Sequence, residues 1–172
     1  LHAGRTTEKN RLFIEANYAR QIEKDTGKAI SILQDLVRKY PKEKLAFLKM
    51  ATWMSDQERY DDAISVLERA LILDPDFAYA TNYMGYLHMY IEDYPGALQY
   101  FRRYAALTPG DPNPYDSMAE CLFMMGRIDE AMTGYRKAIE LEPDYFGSQM
   151  ALAYIYGCLL YTSPSPRDRT RS

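Results

Sequence analysis

Apolar positions along this chain recur every three or four residues, in stretches of about 12–14 residues separated by short polar segments; that spacing predicts helices. Segments 44–57 and 60–73 are the clearest pair. The pattern is itself periodic. Pro41, Pro75, Pro109 and Pro143 stand 34 residues apart, which divides the chain into units at 10–43, 44–77, 78–111 and 112–145, with a fifth opening at 146. Twelve residues before each proline sits an alanine: Ala29, Ala63, Ala97 and Ala131. Twelve before that, the residue is small in four units of five (Ala51, Gly85, Ala119, Ala153), with Asn17 the exception. Four residues after each alanine comes a large apolar or aromatic side chain: Leu33, Leu67, Phe101 or Tyr135.

Packing explains these columns. Each unit predicts two helices, and the small residue of the first faces the alanine of the second, so that the two backbones can cross closely. The large residue one turn later fills the space beside that crossing. The proline stops the second helix and biases the residue before it (Tyr40, Asp74, Thr108 or Glu142) away from helical backbone. Pro95 falls at the start of a second helix, where a missing N–H costs nothing. One hairpin cannot bury its own apolar faces, so successive hairpins must stack.

With its small–Ala–large–Pro pattern every 34 residues, the sequence resembles the tetratricopeptide repeat family. The resemblance is strong over 44–157 and weaker over 10–43, where Asn17 and Leu36 replace small residues. Tyr104 occupies that same late column in the third unit, which predicts a wider contact to the next hairpin. Pentatricopeptide and Sel1-like arrays are the alternative folds, but their periods usually differ. The resemblance implies an all-α, right-handed solenoid of helix-turn-helix units acting as a non-enzymatic protein-interaction scaffold. Residues 12–40 are also similar to repeats appended to bacterial serine/threonine kinases and transcription regulators, so a regulatory segment of a larger protein is one rival, and a structural spacer another.

Both ends depart from the repeat. Residues 1–9 form a frayed start without Met, and leave the compartment open, with the cytoplasm favoured. Residues 158–168, CLLYTSPSPRD, resemble one reading frame of a transposon-end sequencing adapter, which makes 158–172 an expected artefactual tail and 146–157 the first helix of an interrupted fifth unit. On that reading Leu152, Ala153 and Tyr156 face a missing partner helix, and the chain is expected to self-associate through this end.

Composition narrows the function further. Twenty-one basic against 24 acidic residues give a net charge of −3, without the basic surplus typical of nucleic-acid binders. Omitting 158–172 removes three Arg and one Asp, and lowers the charge to −5 (18 basic, 23 acidic). No window is apolar enough for a membrane span. Two cysteines and two histidines make neither a disulfide framework nor a zinc site, so no metal or cofactor is expected. Nucleotide-binding, zinc-protease and nucleophile-elbow motifs are all missing, and no enzyme is expected. His88 is expected to be half-buried and hydrogen-bonded, Cys121 to pack, and Met118, Met124, Met125 and Met132 to fill core.

The remaining chemistry is that of a binding face. In the family the first helices of the hairpins line a concave surface. Tyr79, Tyr83, Tyr86 and Tyr90 advance by four, three and four residues and share one stripe, with Asn82 at its edge. Either these tyrosines meet a ligand, or neighbouring first helices bury some of them, Tyr83 above all. The second unit offers Leu45, Leu48, Lys49 and Thr52. The fourth offers Asn113, Asp116, Glu120 and Phe123. An apolar end, an aromatic middle and an acidic end suit a protein or peptide ligand with apolar anchors and a basic residue. The family's clamp for chaperone C-termini is not expected, since its places hold Ile14, Tyr18, Lys49, Tyr79 and Tyr83.

Overall fold

Every apolar-periodic stretch is a helix in the computed structural model, which describes residues 7–162. Among the described residues there are nine helices and no strand: α1 (Glu8–Gln21), α2 (Thr26–Lys39), α3 (Lys44–Ser55), α4 (Tyr60–Leu73), α5 (Ala78–Tyr90), α6 (Tyr94–Leu107), α7 (Asn113–Met124), α8 (Ile128–Leu141) and α9 (Phe146–Thr162). They group into two compact units, the first running to Asp93 and the second starting at Tyr94.

In the first unit α1 packs on α2 and α3 on α4, with α2–α3 and α4–α5 contacts joining them. The small columns lie where backbones meet: Ala29, Ala51 and Ala63 are fully buried, with Leu33 and Leu67 beside them. Phe47, Trp53, Met54 and Met84 complete this core. In the second unit α6 packs on α7, α7 on α8 and α8 on α9. Its core joins Ala119, Ala131, Met132 and Tyr135 to Leu152 and Ile155 of α9. Gly85 and Ala97 are buried in α5 and α6. Tyr104 is buried as well, and its hydroxyl donates to Asp111 at 3.2 Å.

The helix ends follow from local chemistry. Asp25 caps α2 by accepting from the Lys28 N–H at 2.8 Å. Tyr40, Asp74 and Glu142, each preceding a proline, leave helical backbone with ψ of 72, 94 and 101°. Pro41, Pro75, Pro109 and Pro143 are exposed in the turns that follow. Inside the hairpins the chain reverses through a left-handed residue: Lys24, Glu58, Glu92 and Gly126, with φ of 59, 60, 62 and 74°. These four stand 34 residues apart, a backbone column to which glycine gives no clue in three units. The residue after each returns its N–H to the first helix, Arg59 to Met54 O (3.0 Å), Asp93 to His88 O (2.8 Å) and Arg127 to Leu122 O (2.9 Å), so that orphan carbonyls are satisfied.

One crossing is tighter than the columns announce. A Cβ on Gly134 of α8 would stand 2.9 Å from the Ala119 Cβ and 3.2 Å from the Tyr115 carbonyl oxygen. The same column carries Ile32, Val66 and Tyr100 in the other units.

Three expectations are corrected. Leu152 does not face a missing partner, because it packs with Ile155 into the α7–α8 core. Ala153 and Tyr156 are both exposed, and the Tyr156 hydroxyl accepts from Arg136 Nη2 at 2.7 Å. Met124 is not core filler: it is 57% exposed, since it ends α7 beside the turn. The helix α9 also runs past Gly157 into the adapter-like string as far as Thr162; positions 163–172 of the expected artefactual tail and residues 1–6 of the frayed start lie outside the described residues.

Candidate functional site

The first helices of the hairpins carry the candidate residues in both units of the fold. In the first unit, α1 and α3 border a groove of about 500 Å³. Phe13, Leu45 and Leu48 give it apolar walls, and Lys9, Asn10, Glu43, Lys49 and Thr52 its polar positions. Helical spacing puts Leu45, Leu48, Lys49 and Thr52 on one face of α3. Trp53 lies beneath, 3% exposed, with the Lys49 ammonium 5.3 Å and the Arg20 guanidinium 5.1 Å from its ring centre. Arg20 is ion-paired with Asp56, and Lys9 with Glu43 at 2.7 Å. Lys49 instead donates to the Asn17 Oδ1 at 3.1 Å. Burial, with Arg20 nearby, holds its ammonium below the ordinary lysine value. Asn17 thus spends its amide on this pair and on the Phe13 carbonyl, which explains a polar residue in a small-residue column.

The tyrosine stripe of α5 is divided by burial. Tyr79 is 73% exposed and Tyr90 also faces solvent. Tyr83 and Tyr86 are half-buried, as is Asn82. Burial raises the Tyr83 phenol, opposed by its hydrogen bond with Ser55 of α3. Tyr90 stacks in tilted geometry on Tyr60 (5.4 Å) and Tyr86 (6.5 Å). The stripe therefore combines an exposed edge with a packed interior. Opposite it, Thr81, Met84 and Gly85 are buried, and the half-buried His88 Nδ1 lies 2.7 Å from Asp93 Oδ2.

In the second unit Asn113, Asp116 and Glu120 are half-buried on α7. Asn113 Nδ2 donates to the Tyr145 hydroxyl at 3.0 Å, and the Ser148 hydroxyl donates to Asp116 Oδ1. Burial pushes the Asp116 carboxyl up, against the effect of that hydrogen bond. Lys49–Asn17, Asn113–Tyr145 and Asp116–Ser148 are each 32 residues apart. This ladder of side-chain bonds was missed in the sequence, although polar residues at that spacing were its signal. Cys121 is buried, with its thiol pushed up to about 11 by burial and by Glu120. That is the setting of a packing thiol.

Among the described residues, no group of three His, Cys, Asp or Glu side chains is placed to hold a metal ion. None of the described helices is long and apolar enough to cross a membrane.

Comparison with known proteins places this geometry. Two family profiles, both described as tetratricopeptide repeat, match residues 55–112, and 12–43 with 117–145, respectively. Among curated proteins, anaphase-promoting complex subunit 3 of Schizosaccharomyces pombe is 27% identical over 95 residues, 55% of this chain and 14% of that protein. Protein bimA of Emericella nidulans is 28% identical over 111 residues, 64% of this chain and 13% of that protein. The chain thus spans about one-seventh of the length of these relatives. Among solved structures, MamA from Desulfovibrio magneticus RS-1 superposes with a TM-score of 0.72 at 18% identity, covering 87% of this chain and 85% of that one. A thermophilic repeat protein of Thermus thermophilus gives 0.72 at 21% identity, over 86% and 81%.

Proposed function

Because the chain belongs to the tetratricopeptide repeat family, whose members are protein-interaction scaffolds built as all-α repeat solenoids, we propose that it holds a peptide or partner segment against the faces of its first helices. The observation that carries this reading is the α1–α3 groove, where apolar walls from Phe13, Leu45 and Leu48 surround the polar Lys49 and Thr52. Ligand sites combine apolar surface with few oriented polar groups in this way. The exposed edge of the α5 tyrosines extends the contact surface within the same unit, and aromatic residues are common energetic anchors. A subunit of a multi-protein complex among the relatives agrees with the scaffold role. The half-buried, internally bonded Asn113 and Asp116 serve first as links between α7 and the residues that follow α8. The role is non-enzymatic, and self-association through the exposed apolar residues of α9 accompanies it.

The test changes Tyr79, Asn82 and Tyr86 together to alanine. Tyr79 should contribute little to stability, and its removal with its neighbours should weaken capture of a native partner by about 2 kcal/mol or more. Thermal unfolding is measured alongside pull-down from the source lysate. If the variant stays folded and captures every partner that the parent does, these tyrosines are not the working surface and a spacer role takes precedence. If it loses as much stability as Ala63→Leu, which overpacks a fully buried crossing, the tyrosines are core.

A further inference from the structure

The charges of the α1–α3 groove are unequally matched. Glu43 is neutralised by Lys9 at 2.7 Å. Arg20, which does not line the groove, is neutralised by Asp56. Lys49 has a neutral amide oxygen and an indole ring as its neighbours, and no carboxylate within ion-pair distance among the described residues. An ammonium has three N–H donors, and Asn17 takes one of them. The lining thus carries two cations and one anion, in a chain whose overall charge is −3. Half-buried cations without a counter-ion are costly, and an incoming carboxylate removes that cost as it forms a charge-assisted hydrogen bond.

The groove lining continues on both sides of this cation along α3, apolar before it and polar after it. Leu45 stands one turn before Lys49, and Thr52 nearly one turn after it, with Leu48 and Phe13 alongside. A segment that follows this lining from Leu45 to Thr52 continues past the ammonium in both directions. Taking the peptide reading above as its basis, we propose that the α1–α3 groove selects a segment with an internal Asp or Glu beside an apolar side chain, the carboxylate resting on Lys49. This reverses the ligand charge that the sequence suggested. Of the acidic residues that motivated a basic ligand, Asp116 and Glu120, the first is bonded to Ser148, whereas the cation of Lys49 has no acidic partner among the described residues.

Phage-displayed random dodecapeptides are selected on the full chain and counter-selected on a Leu48→Asp variant whose helical signal has been verified. Selected peptides are synthesised with both termini capped, and binding is followed by fluorescence anisotropy and by the emission of Trp53, the only tryptophan. The expected peptides are enriched in Asp or Glu next to Leu, Ile or Phe. Glu→Gln in such a peptide should weaken binding on the order of tenfold, the worth of a hydrogen bond to a charged group. Against Lys49→Met the same exchange should change binding by less than about twofold, by the logic of a double-mutant cycle. Binders that tolerate Glu→Gln on the parent chain, or that are enriched in Lys or Arg, overturn the acidic-segment proposal and leave the groove reading intact. A selection without binders above the Leu48→Asp background overturns both.

Discussion

Gly134→Ala is the sharpest probe of how closely α7 and α8 approach. In an open helix interior this exchange gains about 0.5–1 kcal/mol, because alanine loses less backbone freedom on folding. At Gly134, however, the added methyl stands 2.9 Å from the Ala119 Cβ and 3.2 Å from the Tyr115 carbonyl oxygen. Neither atom belongs to the end of a flexible side chain, so the helices themselves must separate. Overpacking of this kind costs about 1–3 kcal/mol, and the severity of the 2.9 Å contact argues for the upper half of that range. The expected net loss is about 1–2 kcal/mol, or a fall in midpoint of roughly 3–6 °C for a chain of this size. Gly157→Ala is the matched control, since nothing lies within 4 Å of its added Cβ in α9; it should gain most of the ordinary helix benefit. Both variants are compared by urea unfolding followed by circular dichroism, with the slope checked for constancy. If Gly134→Ala stabilises the protein as Gly157→Ala does, the close crossing is wrong, and with it the account of small residues in this hairpin.

Three further outcomes are expected. Burial raises the Asp116 carboxyl above its unfolded value, so its contribution favours folding at low pH and is lost as pH rises from the ordinary aspartate range of about 3.9 through the higher folded value. Unfolding curves from pH 4 to 7 should therefore show Asp116→Asn gaining on the parent as pH increases, and the opposite slope refutes the assignment. Glu58→Gly should raise stability by about 0.5–1 kcal/mol, because φ of 60° strains a side chain and suits glycine; a loss in thermal midpoint contradicts this. Phe146 and Tyr154 on α9 are 70% and 64% exposed, so light scattering at hundreds of micromolar should show association that Phe146→Glu with Tyr154→Glu reduces; a monomeric parent counts against it.

The parts of this fold that were legible in the sequence are those where one residue type has one physical use. Alanine at 29, 63 and 131 is required by close helix crossing, and proline at 41, 75, 109 and 143 by helix arrest. The left-handed turn was illegible because its positions hold Lys24, Glu58 and Glu92, which tolerate that backbone without advertising it. Gly134 looked like any helical glycine until the position of Ala119 was known. The candidate site was readable as a face but not as a charge pattern. Lys49 and Asp116 both appear as isolated charges in the sequence, and only the 32-residue ladder shows that Asp116 meets a hydroxyl while Lys49 meets an amide.

The left-handed turns also bear on how such a chain can change in length. Asp56, Gln57 and Glu58 are solvent-exposed, and the hairpin around them is held by buried contacts further along α3 and α4. Added residues there displace no core side chain, and the cost of a longer loop grows only slowly, by about 0.6 kcal/mol for each doubling. An insertion inside the helix, at the buried Met50 or Ala51, would instead shift every later α3 position off its column. New recognition elements can therefore be grafted at the hairpin tips while the 34-residue spacing, counted from proline to proline, is lost to any sequence search that relies on it.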